Sequence, residues 1–89
     1  MLYRKAFFMS QIVLERTTNL SPKKILAKAK KIFQEEHGMD LEEESSCCLR
    51  FTGSGGFVFI NIQEEQGKTR VEIKSREWAE VSKMFIKKL

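Results

Sequence analysis

Residues 21–38 read SPKKILAKAKKIFQEEHG, and this pattern predicts a helix in which both ends are marked. The hydroxyl of Ser21 can cap the first turn, and Pro22 loses no hydrogen bond at the first helical position. Gly38 follows the last periodic residue and fits a left-handed C-terminal cap. At about 100° per residue the apolar side chains share one arc, which must be buried. This arc consists of Pro22, Ile25, Leu26, Ala29, Ile32 and Phe33.

Four segments rich in β-branched and aromatic residues predict strands around this helix. They are residues 7–17, 45–52, 57–63 and 68–74. Short connections between the last three segments predict two successive antiparallel hairpins. The acidic stretch 39–46 predicts a loop. Alternation assigns these side chains to the core face of the sheet: Phe8, Ile12, Leu14, Cys47, Leu49, Phe51, Val58, Ile60, Ile62, Val71 and Ile73.

A second helix is predicted at the C-terminal end, with Ser75 as its cap. Its apolar residues recur at helical spacing: Trp78, Val81, Phe85 and Leu89. The element order is therefore β-α-β-β-β-α, a four-stranded antiparallel meander sheet packed against a long helix and a C-terminal helix. With both helices on one face, this is a two-layer α+β sandwich. The order resembles in pattern the small TATA-box-binding-protein-like and helix-grip domains. Those architectures serve unrelated functions, so fold alone assigns none.

Composition indicates a single basic domain over residues 1–89, with a formal net charge of +4. No stretch approaches the roughly 20 apolar residues that span a bilayer, so we expect no membrane association. A disulfide between the neighbours Cys47 and Cys48 would close a strained ring, so we expect free thiols and a cytoplasmic location. His37 beside many acids lacks the defined spacing and the further nitrogen or thiolate ligand of a metal site, so neither metal nor cofactor is expected.

The face of the sheet opposite the predicted core is the main functional feature. Phe57 and Phe59 alternate with the core residues of their strand, so both faces of that strand are apolar. The predicted interaction face consists of Phe57, Phe59, Arg50, Arg70 and Lys74, with Cys48, Phe7 and Met9 as further candidates. Because large apolar surfaces usually mark an interface, we predict a non-enzymatic interaction domain that associates with itself, as a dimer for example, or with another protein.

Two other functions are compatible with the same sequence. Aromatic rings among cations can stack bases and neutralise phosphates, which indicates nucleic-acid binding. A lysine ridge on the long helix could bind the same anion: Lys24, Lys28 and Lys31. A cavity between sheet and helix could instead hold a small apolar ligand, lined by Ile25, Ile32, Phe51 and Ile60.

Two features argue against catalysis, and the register of the strands decides which face of the sheet is buried. The glycine-rich residues 53–56 have a strand on each side, which a phosphate-binding loop does not. No cysteine or carboxylate has an evident partner that would activate it for catalysis. A one-residue slip in register would exchange the two faces of the sheet and move Phe57 and Phe59 inward.

Overall fold

The computed structural model describes residues 11–89, which form one antiparallel sheet and two helical elements. The strands are Gln11–Thr18 (β1), Asp40–Glu44 (β2), Cys48–Gly53 (β3), Gly56–Glu65 (β4) and Lys68–Arg76 (β5). The first helical element is the α-helix Pro22–Ala29 (α1), continued by the π-helix Lys30–Glu36, and the second is the α-helix Ala79–Lys87 (α2). The strand order across the sheet is β1-β5-β4-β3-β2, and each neighbouring pair is antiparallel.

The predicted α+β class is confirmed, as are the two helices and the antiparallel sheet. The predicted number of strands is wrong, because the sheet has five. The fourth predicted strand, now β5, pairs with β1. The start of the first predicted strand, including Phe7, Phe8 and Met9, lies outside the described residues.

The long helix has the caps that its sequence predicts. Ser21 Oγ accepts a hydrogen bond from the Lys24 amide at 3.3 Å. Gly38 has φ of +68°, and its amide donates to the Gln34 carbonyl at 3.1 Å, as a left-handed cap does. The buried face comprises Ile25, Ala29, Ile32 and Phe33. Apolar periodicity did not reveal that the second half of this helix is π-helical.

The fifth strand, β2, lies where the sequence predicted a loop. Its only apolar residue is Leu41, so alternation gave no strand pattern there. Leu41 pairs with Phe51 of β3 and packs against the core, which suffices for a strand at the edge of a sheet. The register shifts between Leu41 and Glu43, which is a β-bulge. A bulge and several carboxylates protect an edge strand from pairing with other chains.

The two predicted hairpins are confirmed, and both have tight two-residue turns. Ser54 and Gly55 connect β3 to β4 with φ of 47° and 78°. Gln66 and Gly67 connect β4 to β5 with φ of 50° and 80°. Positive φ at both central residues is the requirement of a type I′ turn, whose twist matches that of the flanking strands. These turns therefore fix the register of β3, β4 and β5.

One core lies between the sheet and the two helices. Phe33 of the π-helix is fully buried, and its ring centroid lies 5.4 Å from that of Phe51 and 5.5 Å from that of Phe85. Since Phe51 belongs to β3 and Phe85 to α2, both helical elements cover the same face of the sheet. The remaining core residues are Ile25, Ala29, Ile32, Met39, Leu49, Val58, Ile60, Ile62, Val71 and Ile73. The predicted core face is thus correct for β3, β4 and β5, but Cys47, which was also assigned to it, is exposed.

Ser75 does not cap the C-terminal helix as predicted. It lies in β5, paired with Ile12 of β1 and Val58 of β4, and it is fully buried. The hydrogen-bonded pairing of β5 with β1 and with β4 continues to Arg76. The strand therefore extends past Ser75, the residue that the sequence predicted as a helix cap. Helix α2 begins after Trp78 without a side-chain cap. Its predicted apolar face is confirmed, since Phe85 is buried and its other members pack against the core.

The buried hydroxyl of Ser75 allows the energetic cost of an unpaired polar group in this core to be measured. Among residues 11–89, neither the Ser75 hydroxyl nor that of Ser82 has a hydrogen-bond partner, although both side chains are fully buried. A buried hydroxyl without a partner costs about 1–3 kcal/mol, so Ser75→Ala should stabilise the protein by about 1 kcal/mol. The control is Thr18→Val, since Thr18 Oγ1 donates to the Leu89 carbonyl at 3.0 Å and accepts from the Leu20 amide at 3.2 Å.

Thr18→Val should therefore destabilise the protein by about 1 kcal/mol, the usual net value of a protein hydrogen bond. Urea denaturation followed by fluorescence of the single tryptophan measures both variants. Equal losses in the two variants would mean that the Ser75 hydroxyl is satisfied in solution.

Candidate interaction face

The open face of the sheet is the side away from the helices, and its side chains form rows across the strands. In one row Val13, Lys74, Phe59, Arg50 and Glu43 follow one another from β1 to β2. In the next row the order is Gln11, Arg76, Phe57, Thr52 and Asp40. The two phenylalanines thus lie side by side on the central strand, and each row contains one of them.

The centre of the open face is apolar. Phe57 and Phe59 are half-buried, and Val13 is 54% exposed. The guanidinium carbon of Arg50 lies 5.3 Å from the centroid of the Phe57 ring, within cation–π range. The same guanidinium lies 3.9 Å from a carboxylate oxygen of Glu42, which also accepts a hydrogen bond from Thr52 at its other oxygen.

Opposite charges flank this apolar centre on its two sides. On the β5 side lie Lys74 and Arg76, both exposed. On the β2 side lie Asp40, Glu42 and Glu43, also exposed. In these two rows the face therefore has a cationic flank, an aromatic centre and an acidic flank, whereas the next row along the strands places Glu15 and Glu72 on the same face.

The structure brings together four of the five predicted interaction residues. Arg70 is the exception, because it lies opposite Thr17 and Gln63, four residues along β5 from Lys74. At about 3.3 Å per residue this is roughly 13 Å away. Arg70 also has partners of its own, an ion pair with Glu15 and a 2.8 Å hydrogen bond to Gln63. It belongs to a separate polar cluster at the other end of the strands.

The lysine ridge does not join this face. Lys24, Lys28 and Lys31 are all exposed on the long helix, which covers the opposite side of the sheet. The side chains proposed to line a cavity for an apolar ligand lie in the packed core, and all are at most 5% exposed: Ile25, Ile32, Phe51 and Ile60.

Among residues 11–89, no three or more histidine, cysteine or acidic side chains are grouped so that they could hold a metal ion. Within the same residues, none of the helices has the length and apolar character needed to cross a bilayer.

The prediction of free thiols is wrong, because Cys47 and Cys48 are joined by a disulfide. The sequence placed both on alternating positions of one strand, where their side chains would point to opposite faces. In the structure β3 begins at Cys48, and Cys47 lies in the connection from β2. Because Cys47 lies outside the strand, its side chain does not have to point to the face opposite that of Cys48. The inference of a cytoplasmic location from free thiols loses its basis.

The sequence did not predict Arg76 and the acidic flank as parts of the open face. Arg76 was placed beyond the end of its strand, and the acidic flank was placed in a loop. Leu41 is a single apolar residue among acidic ones, a pattern that suits an edge strand with one buried side chain. This pattern could have indicated the strand that carries the acidic flank. Val13 was assigned to this face by alternation but was not included among the candidates.

Comparison with known proteins gives a fold and no activity. No family model matches the sequence, and no curated protein matches it. Among solved structures, the fold is similar to that of a conserved protein of unknown function from Enterococcus faecalis, with a TM-score of 0.52 and 14% sequence identity. The match covers 73% of this chain and 54% of that one, so this chain spans about half the length of its structural neighbour.

Proposed function

We propose that this chain is a non-catalytic interaction domain that forms a homodimer through the open face of its sheet. The observation that supports this is the order of the flanks around Phe57 and Phe59. A two-fold interface needs a surface that is complementary to itself. A cationic flank and an acidic flank on opposite sides of an aromatic centre meet that need.

The register suggests how two copies would pack. A two-fold axis parallel to the strands, passing between β3 and β4, lays β5 of one copy over β2 of the other. Lys74 then faces Glu43, and Arg76 faces Asp40. Phe59 faces Arg50 of the second copy, the same pairing of ring and guanidinium that each chain makes within itself at Phe57. Face-to-face packing of two sheets with nearly aligned strands is a common arrangement.

The first test is Phe59→Asp, measured by light scattering coupled to size exclusion over a concentration series. Aspartate removes the aromatic ring from the centre of the interface, and a carboxylate buried there loses its hydration even opposite Arg50 of the second copy, so we expect a monomer with an unchanged circular dichroism spectrum. The control is Met84→Asp, which adds the same charge at a residue that is 40% exposed on α2. It should leave the dimer intact. A strictly monomeric parent protein would contradict the proposal.

A charge swap tests the relative orientation of the two copies. Lys74→Glu and Glu43→Lys should each weaken dimerisation, by roughly tenfold, because like charges would meet across the interface. The double variant should recover the parent affinity. Within one chain the two residues are three strand spacings apart, about 14 Å, so recovery would come from contact between copies.

Nucleic-acid binding is the alternative function, and the same experiments distinguish it from dimerisation. Arg50 and Arg70 already have carboxylate partners, and the lysine ridge lies on the opposite side of the molecule. One strand of nucleic acid could not contact both cationic sets at once. A monomer that binds an oligonucleotide at about 50 mM salt, with affinity falling steeply as salt rises, would favour this alternative over dimerisation.

A further inference from the structure

The disulfide between Cys47 and Cys48 does not act as a crosslink in this fold. It joins neighbours in the chain, so it brings no distant segments together and closes no long loop. The backbone holds the same turn independently. The Ser45 amide donates to the Cys48 carbonyl at 2.9 Å, and the Ile62 amide donates to the Cys47 carbonyl at 2.8 Å. The β2–β3 connection should therefore keep its shape when the disulfide is reduced.

The two cysteines differ in exposure. Cys47 is exposed and Cys48 is half-buried. Cys47 lines an open cleft of about 760 Å³ between the start of α1 and the β2–β3 turn. Cys48 lies on the other side of the sheet end, beside Phe59 and a group of carboxylates. A small thiolate can approach Cys47 from the cleft, whereas Cys48 is the less exposed of the two residues.

We propose that this pair is a thiol–disulfide exchange site that reacts with low-molecular-weight thiols of the glutathione class. The external thiolate attacks Cys47 Sγ, the bond to Cys48 Sγ breaks, and Cys48 leaves as a thiolate that takes a proton from water. Cys47 then carries a mixed disulfide. A second thiolate attacks the external sulfur and releases Cys47, so two thiols become one small disulfide while the protein gains two thiols.

The reverse direction uses the same atoms, with Cys47 as the nucleophile and Cys48 as the resolving thiol. Ser45 Oγ lies 3.4 Å from Cys47 Sγ, so its hydroxyl can donate to a Cys47 thiolate. The cleft also contains Lys23, whose cation favours a thiolate, and the carboxylates of Glu44 and Glu64, which oppose it. Among the described residues that line the hollow at Cys48, the charged groups are all carboxylates, which disfavour the Cys48 thiolate and so slow its reaction.

The first experiment measures alkylation by iodoacetamide with intact-mass detection, before and after incubation with reduced glutathione. We expect no modified cysteine before reduction and two after it, and a circular dichroism spectrum that reduction leaves unchanged. The proposal is overturned if the protein keeps two free thiols after treatment with oxidised glutathione, or if reduction unfolds it.

Single-cysteine variants test which sulfur reacts. Cys48→Ser treated with oxidised glutathione should form a mixed disulfide at Cys47, about tenfold faster than Cys47→Ser does at Cys48, because the thiolate at position 47 is exposed and has a hydroxyl donor. Adding Ser45→Ala to Cys48→Ser should slow the reaction, and Ser46→Ala should not. Equal rates for the two single-cysteine variants would overturn the assignment of Cys47.

Discussion

Gly56→Ala should destabilise the protein by about 3 kcal/mol or more, the upper range for forcing atoms into a packed site. Gly56 begins β4 directly after the type I′ turn, where the end of β5 passes close by. A Cβ at Gly56 would collide with the Arg76 carbonyl oxygen and lie 2.7 Å from Glu77 Cβ. Backbone cannot move aside as a flexible side chain can, so the end of β5 must shift.

Gly53→Ala is the matched control, because Gly53 pairs with Gly56 across the same turn. A Cβ at Gly53 would lie 3.5 Å from Met39 Cγ and 3.6 Å from Trp78 Cζ2, which are ordinary contacts. Both variants lose the same glycine flexibility from the unfolded chain, so their difference isolates the collision. Gly53→Ala should change stability by less than about 1 kcal/mol.

Thermal denaturation at one protein concentration measures both glycine variants, since the stability of a dimer depends on concentration. In a domain of this size each kcal/mol shifts the melting temperature by about 4–8 °C. The same shift in both variants would contradict the close approach of β5 to Gly56. The fluorescence of Trp78 should also change in Gly56→Ala, because Trp78 Nε1 donates to the Gly53 carbonyl at 2.9 Å next to the displaced strand.

The sequence predicted those parts of the fold in which local pattern and tertiary burial agree. The long helix has an N-cap, a C-terminal glycine and an apolar arc, all of which act within a few residues. The hairpins follow from glycine-containing turns between alternating segments. In both cases the information is local, so it can be read without knowing the partner elements.

The parts that could not be predicted depend on pairing between distant residues. β2 is a strand because Leu41 meets Phe51 and the core, although its own residues disfavour strands. Ser75 remains in β5 because ladders on both sides continue past it. The open face was predicted at Phe57 and Phe59 by alternation alone. Of its flanks only Lys74 was predicted, since Arg76 joins that face because β5 extends past residue 74, and Glu43 joins it because β2 pairs with β3.

Phe33→Ala should have the largest effect among the core variants, a loss of about 3–5 kcal/mol. Phe33 is the one buried ring among residues 11–89 that contacts aromatic rings of both the sheet and α2. Its removal leaves a cavity between three elements and removes two aromatic pairs, each worth about 0.5–1.5 kcal/mol beyond burial. Since a small domain has about 5–15 kcal/mol in total, this variant should be close to unfolding.

Two further variants keep this prediction measurable if Phe33→Ala does not fold. Phe33→Leu retains most of the apolar volume and should lose about 1–2 kcal/mol, mainly the aromatic contacts. Leu26→Ala removes a half-buried side chain from the edge of the same helical face and should also lose no more than about 2 kcal/mol. If Phe33→Leu were as damaging as Phe33→Ala, ring geometry and not volume would hold the two helices on the sheet. If Leu26→Ala cost as much as Phe33→Ala, the centre of the core would lie nearer to the start of α1.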